Sequence, residues 1–222
     1  MNSPVEENYL KALFNLSQEN GEVNVMDLSK QLEIKMPTVT SMMKKLLDKK
    51  LVHYESYKPI RLTDQGKKEA GLVIRKHRLT EMFLVNQMGV SWENVHEIAE
   101  QIEHINSPDL FSRMDEILGF PKTDPHGSPI PDSNGKIQWI NLNKLCDAQV
   151  GEIFSLEAVM HSSDEFLKFL NSRNLHLGVI ITVLFVEAFD GSMKISYADR
   201  INETLSKTAS ERLLVQKQKI KK

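Results

Sequence analysis

Residues 37–63 read PTVTSMMKKLLDKKLVHYESYKPIRLT, and this stretch decides the expected fold of the N-terminal part of the chain. Pro37 suits the first turn of a helix. The apolar residues after it recur at the spacing of a buried helical face: Val39, Met42, Met43, Leu46 and Leu47. Two short β-like runs, LVHYES and IRL, follow and are separated by YKP. The stretch therefore predicts a helix followed by a small hairpin.

Upstream, the sequence predicts two more helices. Ser3, Pro4 and Glu6 have the pattern of a capping box, so a helix begins there, and Gly21 is expected to end it. A short second helix carries Leu28 and Leu32. Helix, short helix, helix and hairpin is the element order of a winged helix-turn-helix.

The distribution of charge favours a nucleic-acid partner for this unit. Residues 30–78 hold 13 Lys/Arg against 5 Asp/Glu, whereas residues 79–125 hold 2 against 9. Small hydroxyls and lysines suit a helix that enters the major groove, and basic hairpin residues suit the DNA backbone. A protein-interaction module and simple solvated helix faces are the alternatives. The predicted DNA-binding residues are Lys35, Pro37, Thr38, Thr40, Ser41, Lys44, Lys45, Lys58 and Arg61.

The rest of the chain predicts a helical segment and then a small β domain. Thr63 caps a long helix that stops at Gly89, Ser91 caps the helix WENVHEIAEQIEHI, and Ser107 caps one that ends at Gly119. The segment PKTDPHGSPIPDSNG has linker composition. After Ile137, the runs VGEIFSLEAVM, VIITVLFVEAF and MKISYA, with a helix at DEFLKFLNS, predict a β barrel, and QKQKIKK a frayed basic tail. The fold class is mainly α with small β parts.

Two helices of the middle segment carry histidine and carboxylate stripes. At about 100° per residue, Glu100, Glu103 and His104 fall within about 80° of His96 on one helix face. On the preceding helix, His77 and Glu81 are four residues apart and share a face. Imidazole and carboxylate donors from two elements suit a divalent first-row metal ion. A solvated acidic face with incidental histidines is the alternative.

Other functions find little support in the sequence. A Gly-rich phosphate loop, a nucleophile elbow and an HExxH motif are all missing, so we expect neither an enzyme nor a small-molecule substrate. Without a signal peptide or a long apolar run, and with Cys146 as the only cysteine, a cytoplasmic protein that uses no membrane is expected. The remaining histidines receive no role: His53, His126, His161 and His176.

The segment RKHRLTEMFLVNQMGVSWENVHEIAEQIEH resembles the metal-binding core of the diphtheria toxin repressor family of iron- and manganese-dependent repressors. PTVTSMMKKLLDKKLV resembles the recognition helix of that family, IRLTDQGKKEA its wing exit and HGSPIP its linker. From INLNKLCDAQVGEIF to ASERLLVQ the chain resembles its SH3-like domain, which is related to the FeoA domain.

The resemblance implies a homodimer that represses metal-uptake genes at an inverted-repeat DNA operator when loaded with Mn²⁺ or Fe²⁺. It implies a winged-helix domain at 1–72, a helical metal-binding and dimerisation domain at 73–124, a linker at 125–137 and an SH3-like domain at 138–222. An iron-responsive repressor and a metal-independent winged-helix regulator are the alternatives to a manganese-responsive one.

The resemblance also implies individual metal ligands. Glu100 stands where iron-sensing members have cysteine and manganese-sensing members have glutamate, which favours Mn²⁺ over Fe²⁺. By position, the shared ligands are His77, Glu103 and His104, and the ancillary ligands are Glu81, His96 and Glu165.

Three positions depart from the family pattern. Asn8 stands in the place of an aspartate or methionine ligand and can offer its amide oxygen. Lys11 replaces a carboxylate ligand of a compact manganese sensor, which puts a dinuclear site of that kind in doubt. Ser162 stands where a second ancillary ligand of the SH3-like domain is expected.

Overall fold

The structure is a computed structural model that describes residues 2–18, 20–160 and 162–218. Within these residues the helices are α1 Pro4–Leu16, α2 Val25–Gln31, α3 Met36–Asp48, α4 Asp64–Met88, α5 His96–Ile102, α6 Pro108–Ile117, α7 Asp164–Asn171 and α8 Lys207–Ser210. The strands are β1 Val52–His53, β2 Arg61–Leu62, β3 Asn143–Lys144, β4 Ile153–Val159, β5 Ile180–Val186, β6 Met193–Tyr197, β7 Arg200–Leu205 and β8 Leu213–Lys217.

The chain divides into two compact units. The first unit comprises residues 1–83, 97–121 and 130–138, and the second comprises residues 84–96, 122–129 and 139–222. Each unit therefore takes part of the segment with linker composition. The three-domain division expected from the sequence remains a prediction. It was drawn from the family resemblance, whereas these two units are defined by which residues contact each other.

The first unit contains the predicted winged helix. Ser3 Oγ accepts a hydrogen bond from the Glu6 amide, and the Glu6 carboxylate accepts one from the Ser3 amide, so the capping box that starts α1 is confirmed. Strands β1 and β2 pair antiparallel as the predicted hairpin. We call the winged helix, which consists of α1 to α3 and the β1–β2 hairpin, the head, and the hairpin itself the wing. The core of the head contains residues of all three helices and of the wing: Tyr9, Leu10, Leu13, Leu28, Val39, Met43, Leu46, Val52 and Ile60.

Two details of the head differ from the prediction. Helix α1 ends at Leu16, five residues before the expected end at Gly21, and Ser17 caps it through a hydrogen bond from its amide to the Leu13 carbonyl oxygen. Leu47, expected on the buried face of α3, is 39% exposed. Its neighbour Leu46 already fills that face with 0% exposure, so the apolar stripe of α3 is narrower than the sequence indicated.

Helix α5 is shorter than expected. It begins at His96, whereas the sequence placed the start at Ser91. Residues 91–95 form turns instead, and the Asn94 amide donates to the Ser91 carbonyl oxygen over 2.9 Å. Glu103 and His104 follow the end of the helix, although the Glu103 amide still donates to the Ala99 carbonyl oxygen.

Gly71 and Gly135 bring two backbone segments of the first unit together. A methyl group at Gly71 of α4 would lie 1.9 Å from the Gly135 carbonyl oxygen. Asp132 shapes the second segment, since its Oδ1 accepts hydrogen bonds from the amides of Asn134 and Lys136. Arg75 of α4 donates to the Pro131 carbonyl oxygen over 2.6 Å. Residues 130–136 are therefore fastened to α4.

The second unit contains a six-stranded antiparallel sheet in the order β3-β8-β4-β5-β6-β7. Helix α7 packs its apolar face, Phe166, Leu167 and Leu170, into the core of this unit. Strands β7 and β8 were not predicted, and Gln216 and Lys217 of the expected frayed tail belong to β8. Residues 219–222 of that tail lie outside the described residues. Among the described helices, none is long and apolar enough to cross a membrane.

Candidate metal centre and nucleic-acid interface

His77 lies at the centre of a buried polar cluster in the first unit. Its Nδ1 is 2.6 Å from Glu103 Oε2, and its Nε2 is 3.1 Å from Glu81 Oε1. Glu81 lies one turn farther along α4, as the spacing of four predicted. All three side chains are buried, and Glu103 has 0% exposure. The structure thus brings together two carboxylates and an imidazole from α4 and the end of α5.

The titration of this cluster follows from its hydrogen bonds. Burial by itself lowers the pKa of His77, but hydrogen bonds to Glu103 and Glu81 outweigh burial and raise this pKa to about 9. Burial raises the pKa of Glu103, but His77 and Lys11 outweigh it and lower the pKa below its usual value. In the metal-free protein, a protonated His77 therefore offsets one of the two negative charges of Glu81 and Glu103 at neutral pH.

Lys11 of α1 reaches the same cluster. Its Nζ donates to Glu100 Oε2 over 2.6 Å and to Glu103 Oε1 over 2.7 Å. One ligand atom from each of His77, Glu100 and Glu103 lies within 4.8 Å of the others, which is close enough for a single metal ion to touch all three. The Lys11 ammonium therefore binds two carboxylates of a candidate metal site.

His104 extends the cluster and connects it to α1. Its Nδ1 donates to Glu7 Oε2 over 2.7 Å, and its Nε2 is 3.6 Å from Glu103 Oε1. The Glu7 carboxylate thus fixes the orientation of the ring and leaves Nε2 directed toward Glu103. Metal-ligating histidines commonly have this arrangement, with one nitrogen on a carboxylate and the other on the ion.

A buried oxygen of α1, the amide oxygen of Asn8, also favours a divalent ion at this site. The Asn8 amide oxygen is buried and has no hydrogen-bond partner among the described residues. Asn8 and Lys11 are three residues apart on α1, so they share the face that contacts the cluster. An unpaired buried oxygen is costly, and a cation would satisfy it. The oxygen and nitrogen donors present suit Mn²⁺ or Fe²⁺, while the Lys11 ammonium opposes the binding of an ion at Glu100 and Glu103.

The predicted ancillary ligands are distributed over both units. Glu81 belongs to the first unit, and His96 and Glu165 belong to the second. His96 is exposed at the first residue of α5, and Glu165 is exposed in the first turn of α7. An ancillary site from these three residues remains a prediction.

Sequence reasoning missed Glu7 and the actual role of Lys11. Glu7 carried no signal of its own beyond its position one residue before Asn8. Lys11 was noted as a lost carboxylate, but its carboxylate partners are 89 and 92 residues away along the chain. His126, which received no role, is buried, stacks on Trp92 within the second unit and contacts the Trp92 carbonyl oxygen over 2.9 Å. His161 lies outside the described residues.

The predicted DNA-reading helix presents a polar, basic outer face. Thr38, Ser41 and Lys44 are exposed at successive three-residue steps along α3, so they form one stripe, and Thr40 is half-buried. Lys35 and Pro37 are exposed at the start of the helix, where backbone N–H groups favour anions. The geometry suits insertion of the α3 N-terminus into a major groove.

Three of the predicted basic residues have carboxylate partners in the free protein. Lys45 Nζ is 3.2 Å from Glu6 Oε1, Lys58 pairs with Glu55 over 2.8 Å, and Arg61 pairs with Glu22. Lys58 and Arg61 are nevertheless exposed in the wing. Lys45 differs, because its ion pair anchors α3 to the buried Glu6 of α1.

A winged helix with a basic reading helix, joined to a buried histidine–carboxylate centre, defines the class of metal-responsive DNA-binding regulators. The comparisons agree with this class. Residues 1–60 match the family model of the iron dependent repressor N-terminal DNA binding domain, and residues 63–132 match its metal binding and dimerisation domain. The chain belongs to this family, the iron-dependent or DtxR/MntR-like repressors, which are DNA-binding transcriptional repressors and not enzymes.

Individual relatives cover different parts of the chain. The iron-dependent repressor IdeR of Mycobacterium leprae is 35% identical over 125 residues, 56% of this chain and 54% of that protein, so the match spans about half of that relative. The HTH-type transcriptional regulator MntR of Oceanobacillus iheyensis is 32% identical over 56% of this chain and 84% of that protein. A solved manganese-dependent transcriptional repressor in complex with manganese has a TM-score of 0.87 at 29% identity, covering 96% of this chain and 100% of the other. The expected fold class, with an N-terminal helix-turn-helix, a helical dimerisation segment and a C-terminal SH3-like domain, is thereby confirmed, while the domain boundaries remain a prediction.

Proposed function

We propose that this protein is a manganese-responsive transcriptional repressor that binds an inverted-repeat DNA operator as a homodimer. One observation carries the proposal: the histidine–carboxylate cluster is built by α4 and the end of α5 but is contacted by α1, the first helix of the DNA-reading head. Metal binding to the cluster would therefore change how α1, and with it the head, is held.

The proposed ligands are Asn8, His77, Glu100, Glu103 and His104. A bound divalent ion would supply the positive charge that the carboxylates lack and a partner for the unpaired Asn8 oxygen. The donors are oxygen and nitrogen only, which suits manganese, since a softer thiolate ligand is missing from this set. Fe²⁺ is the alternative ion for the same ligands. The name of the solved relative, a manganese-dependent repressor, supports the first choice.

The proposed switch works through the attachment of α1. Lys11 reaches the cluster from α1, Glu7 of the same helix orients His104, and Asn8 on that helix has the unpaired buried oxygen that the ion would take as a ligand. Drawing these residues together fixes the head on the metal-binding segment. In a dimer this selects one spacing of the two heads, and only the spacing of successive major grooves permits tight operator binding.

Exposed apolar residues of the first unit support a dimer. Ile98, Ile105, Ile117 and Phe120 are 38%, 44%, 46% and 59% exposed. They lie on α5, on α6 and beside both helices, within the segment that matches the family's dimerisation domain. Large apolar side chains exposed along one segment favour a protein interface in that segment. The divisions 1–72, 73–124, 125–137 and 138–222 are proposed as winged helix, metal and dimer domain, linker and SH3-like domain, in a cytoplasmic protein.

The experiment is a gel-shift titration on the promoter region of the protein's own gene. We expect DNA binding to require Mn²⁺ and to be lost with EDTA, with Fe²⁺ tested anaerobically at matched free concentrations. His104→Ala should remove the metal response, and His176→Ala, an exposed histidine of the second unit, should retain it. DNA binding that ignores both metal and EDTA would contradict the proposed switch, and equal or better activation by Fe²⁺ would overturn the choice of manganese.

A further inference from the structure

Lys11 occupies the position of a cation within the proposed metal centre. Its ammonium is 2.6 Å from Glu100 Oε2 and 2.7 Å from Glu103 Oε1, so it bridges the two carboxylates as a small ion would. The contact with Glu103 is largely closed to solvent, because the Lys11 side chain is 14% exposed and that of Glu103 is 0% exposed, whereas the Glu100 side chain is 39% exposed. An ion pair in such surroundings is far less screened than one on the surface.

The Glu103 carboxylate meets positively charged groups on two sides. Oε2 of Glu103 faces His77, and Oε1 faces both Lys11 and, at 3.6 Å, His104 Nε2. Two cation positions around one shared carboxylate are the usual arrangement of a dinuclear centre, whose ions lie about 4 Å apart. In this chain the position between Glu103 Oε1 and Glu100 is filled by the permanent cation of Lys11, whereas His77 can lose its proton to bind a metal ion.

We propose that Lys11 is a built-in cation that replaces one of two metal ions, so that the centre takes one divalent ion fewer than a Lys11→Glu variant would. The proposal rests on the metal centre proposed above and adds a device to it. Because Lys11 belongs to α1, its ammonium also holds the DNA-reading head on the cluster when metal is absent. The metal-free protein therefore retains part of the connection that the ion completes.

The proposal predicts different changes in Mn²⁺ binding for two substitutions of Lys11. Lys11→Glu removes the ammonium and adds a carboxylate ligand, so this variant should bind one more Mn²⁺ per protomer than the parent. Lys11→Met removes the charge and keeps most of the volume without adding a ligand. It should bind no additional ion but bind Mn²⁺ about tenfold more tightly, because no ammonium competes for Glu100 and Glu103.

The experiment is equilibrium dialysis of the full-length proteins against Mn²⁺ followed by metal analysis, with electron paramagnetic resonance to distinguish isolated ions from coupled pairs. Thermal unfolding without metal gives an independent measurement. The metal-free Lys11→Met protein should melt about 5 °C lower than the parent, since two carboxylates lose their partner. Lys67→Glu, an exposed change of equal charge on α4, is the control and should alter neither quantity.

The outcomes separate this proposal from the proposed function. If the parent binds Mn²⁺ but Lys11→Glu takes up no additional ion and Lys11→Met binds no more tightly, the built-in cation is disproved and the metal switch stands. If only Lys11→Glu binds Mn²⁺, Lys11 does replace metal and the parent is not a manganese sensor. If neither protein binds Mn²⁺, both proposals fail.

Discussion

The Nδ1 atom of His104 donates a hydrogen bond to Glu7 across 97 residues of sequence, and this bond joins the DNA-reading head to the candidate metal centre. Both side chains are largely buried, with 15% and 17% exposure. The bond also sets which nitrogen of His104 is available, since Nε2 is left facing Glu103. Glu7 is therefore a positioning residue for a proposed ligand.

This geometry predicts that Glu7→Gln weakens Mn²⁺ binding by about tenfold or more, as the loss of an outer carboxylate does at other histidine–metal sites. The measurement is a competitive Mn²⁺ titration against a fluorescent chelator. Glu97→Gln removes an equal charge from α5 at an exposed position and serves as the control. Equal losses in the two variants would mean that general electrostatics, and not orientation of His104, is responsible.

Glu6 links α1 to α3 and predicts acid sensitivity of the head. Burial raises the pKa of Glu6, but hydrogen bonds from Lys49, the Ser3 amide and Lys45 outweigh burial and lower the pKa from 4.5 to about 2. A lowered folded-state pKa stabilises the protein above the ordinary value of 4.5, and this stability is lost as the pH falls from there toward 2. The contribution is on the order of 3 kcal/mol.

We therefore expect Glu6→Gln to lower the free energy of unfolding by about 2–3 kcal/mol at pH 7 and to flatten its decline below pH ~4.5. Urea unfolding at a series of pH values measures both effects. Glu55→Gln, at an exposed ion pair of the wing, should change stability by less than about 1 kcal/mol. An unchanged acid limb in Glu6→Gln would show that other carboxylates control acid unfolding.

Lys44 projects from the outer face of α3, and no ion pair to a carboxylate holds it among the described residues. Lys44→Ala should weaken DNA binding and reduce the slope of log affinity against log salt by about 1, because one phosphate contact and its counterion are lost. Fluorescence anisotropy at several KCl concentrations gives the slope. The exposed Lys194 of β6 offers the matched change, Lys194→Ala, which should leave the slope as it is.

Ile117 is 46% exposed on α6 and belongs to the apolar set proposed as a dimer interface. Ile117→Asp should convert a dimer to a monomer, since an unpaired charge would be buried at the interface. Sedimentation velocity measures the change. Ile180→Asp, at a position on β5 that is 49% exposed, should not alter the oligomeric state. A monomeric parent protein would contradict the interface outright.

Gly71 predicts an unusual sign for a glycine-to-alanine change in a helix. Alanine normally stabilises a helix interior by about 0.5–1 kcal/mol relative to glycine. At Gly71 the added methyl group would lie 1.9 Å from a backbone oxygen, so we expect Gly71→Ala to destabilise by about 1–3 kcal/mol. Thermal unfolding determines the sign, and a stabilised variant would mean that the 130–138 segment can move away from α4.

The head was predictable from sequence because its signals are local. The capping box at Ser3, the apolar spacing in α3 and the Thr63 start of α4 act within a few residues, and all three are present. The centre was predictable in composition, since the spacing of four at His77 and Glu81 places both side chains on one face. The start of α5 could not be predicted in the same way. The apolar residues upstream of His96 also have helical spacing, but the backbone forms turns there.

The features that the sequence did not predict depend on contacts between residues that are far apart along the chain or on how neighbouring side chains fill the core. Lys11 has no periodic pattern with Glu100 or Glu103, so only the folded chain shows the ammonium between them. Leu47 is exposed because Leu46 and Met43 suffice to fill the face of α3. Strand β8 pairs with β3 and β4, and its polar end at Lys217 carried no strand signal of its own.

The turn around Asp132 has a consequence for how this protein tolerates changes of length. Its carboxylate binds amides two and four residues ahead, and Gly135 sits directly against Gly71. One residue inserted or deleted between Asp132 and Gly135 would place a side chain where only a hydrogen atom fits. A stretch whose composition resembles that of a spacer is thus held to a fixed length by its contact with α4.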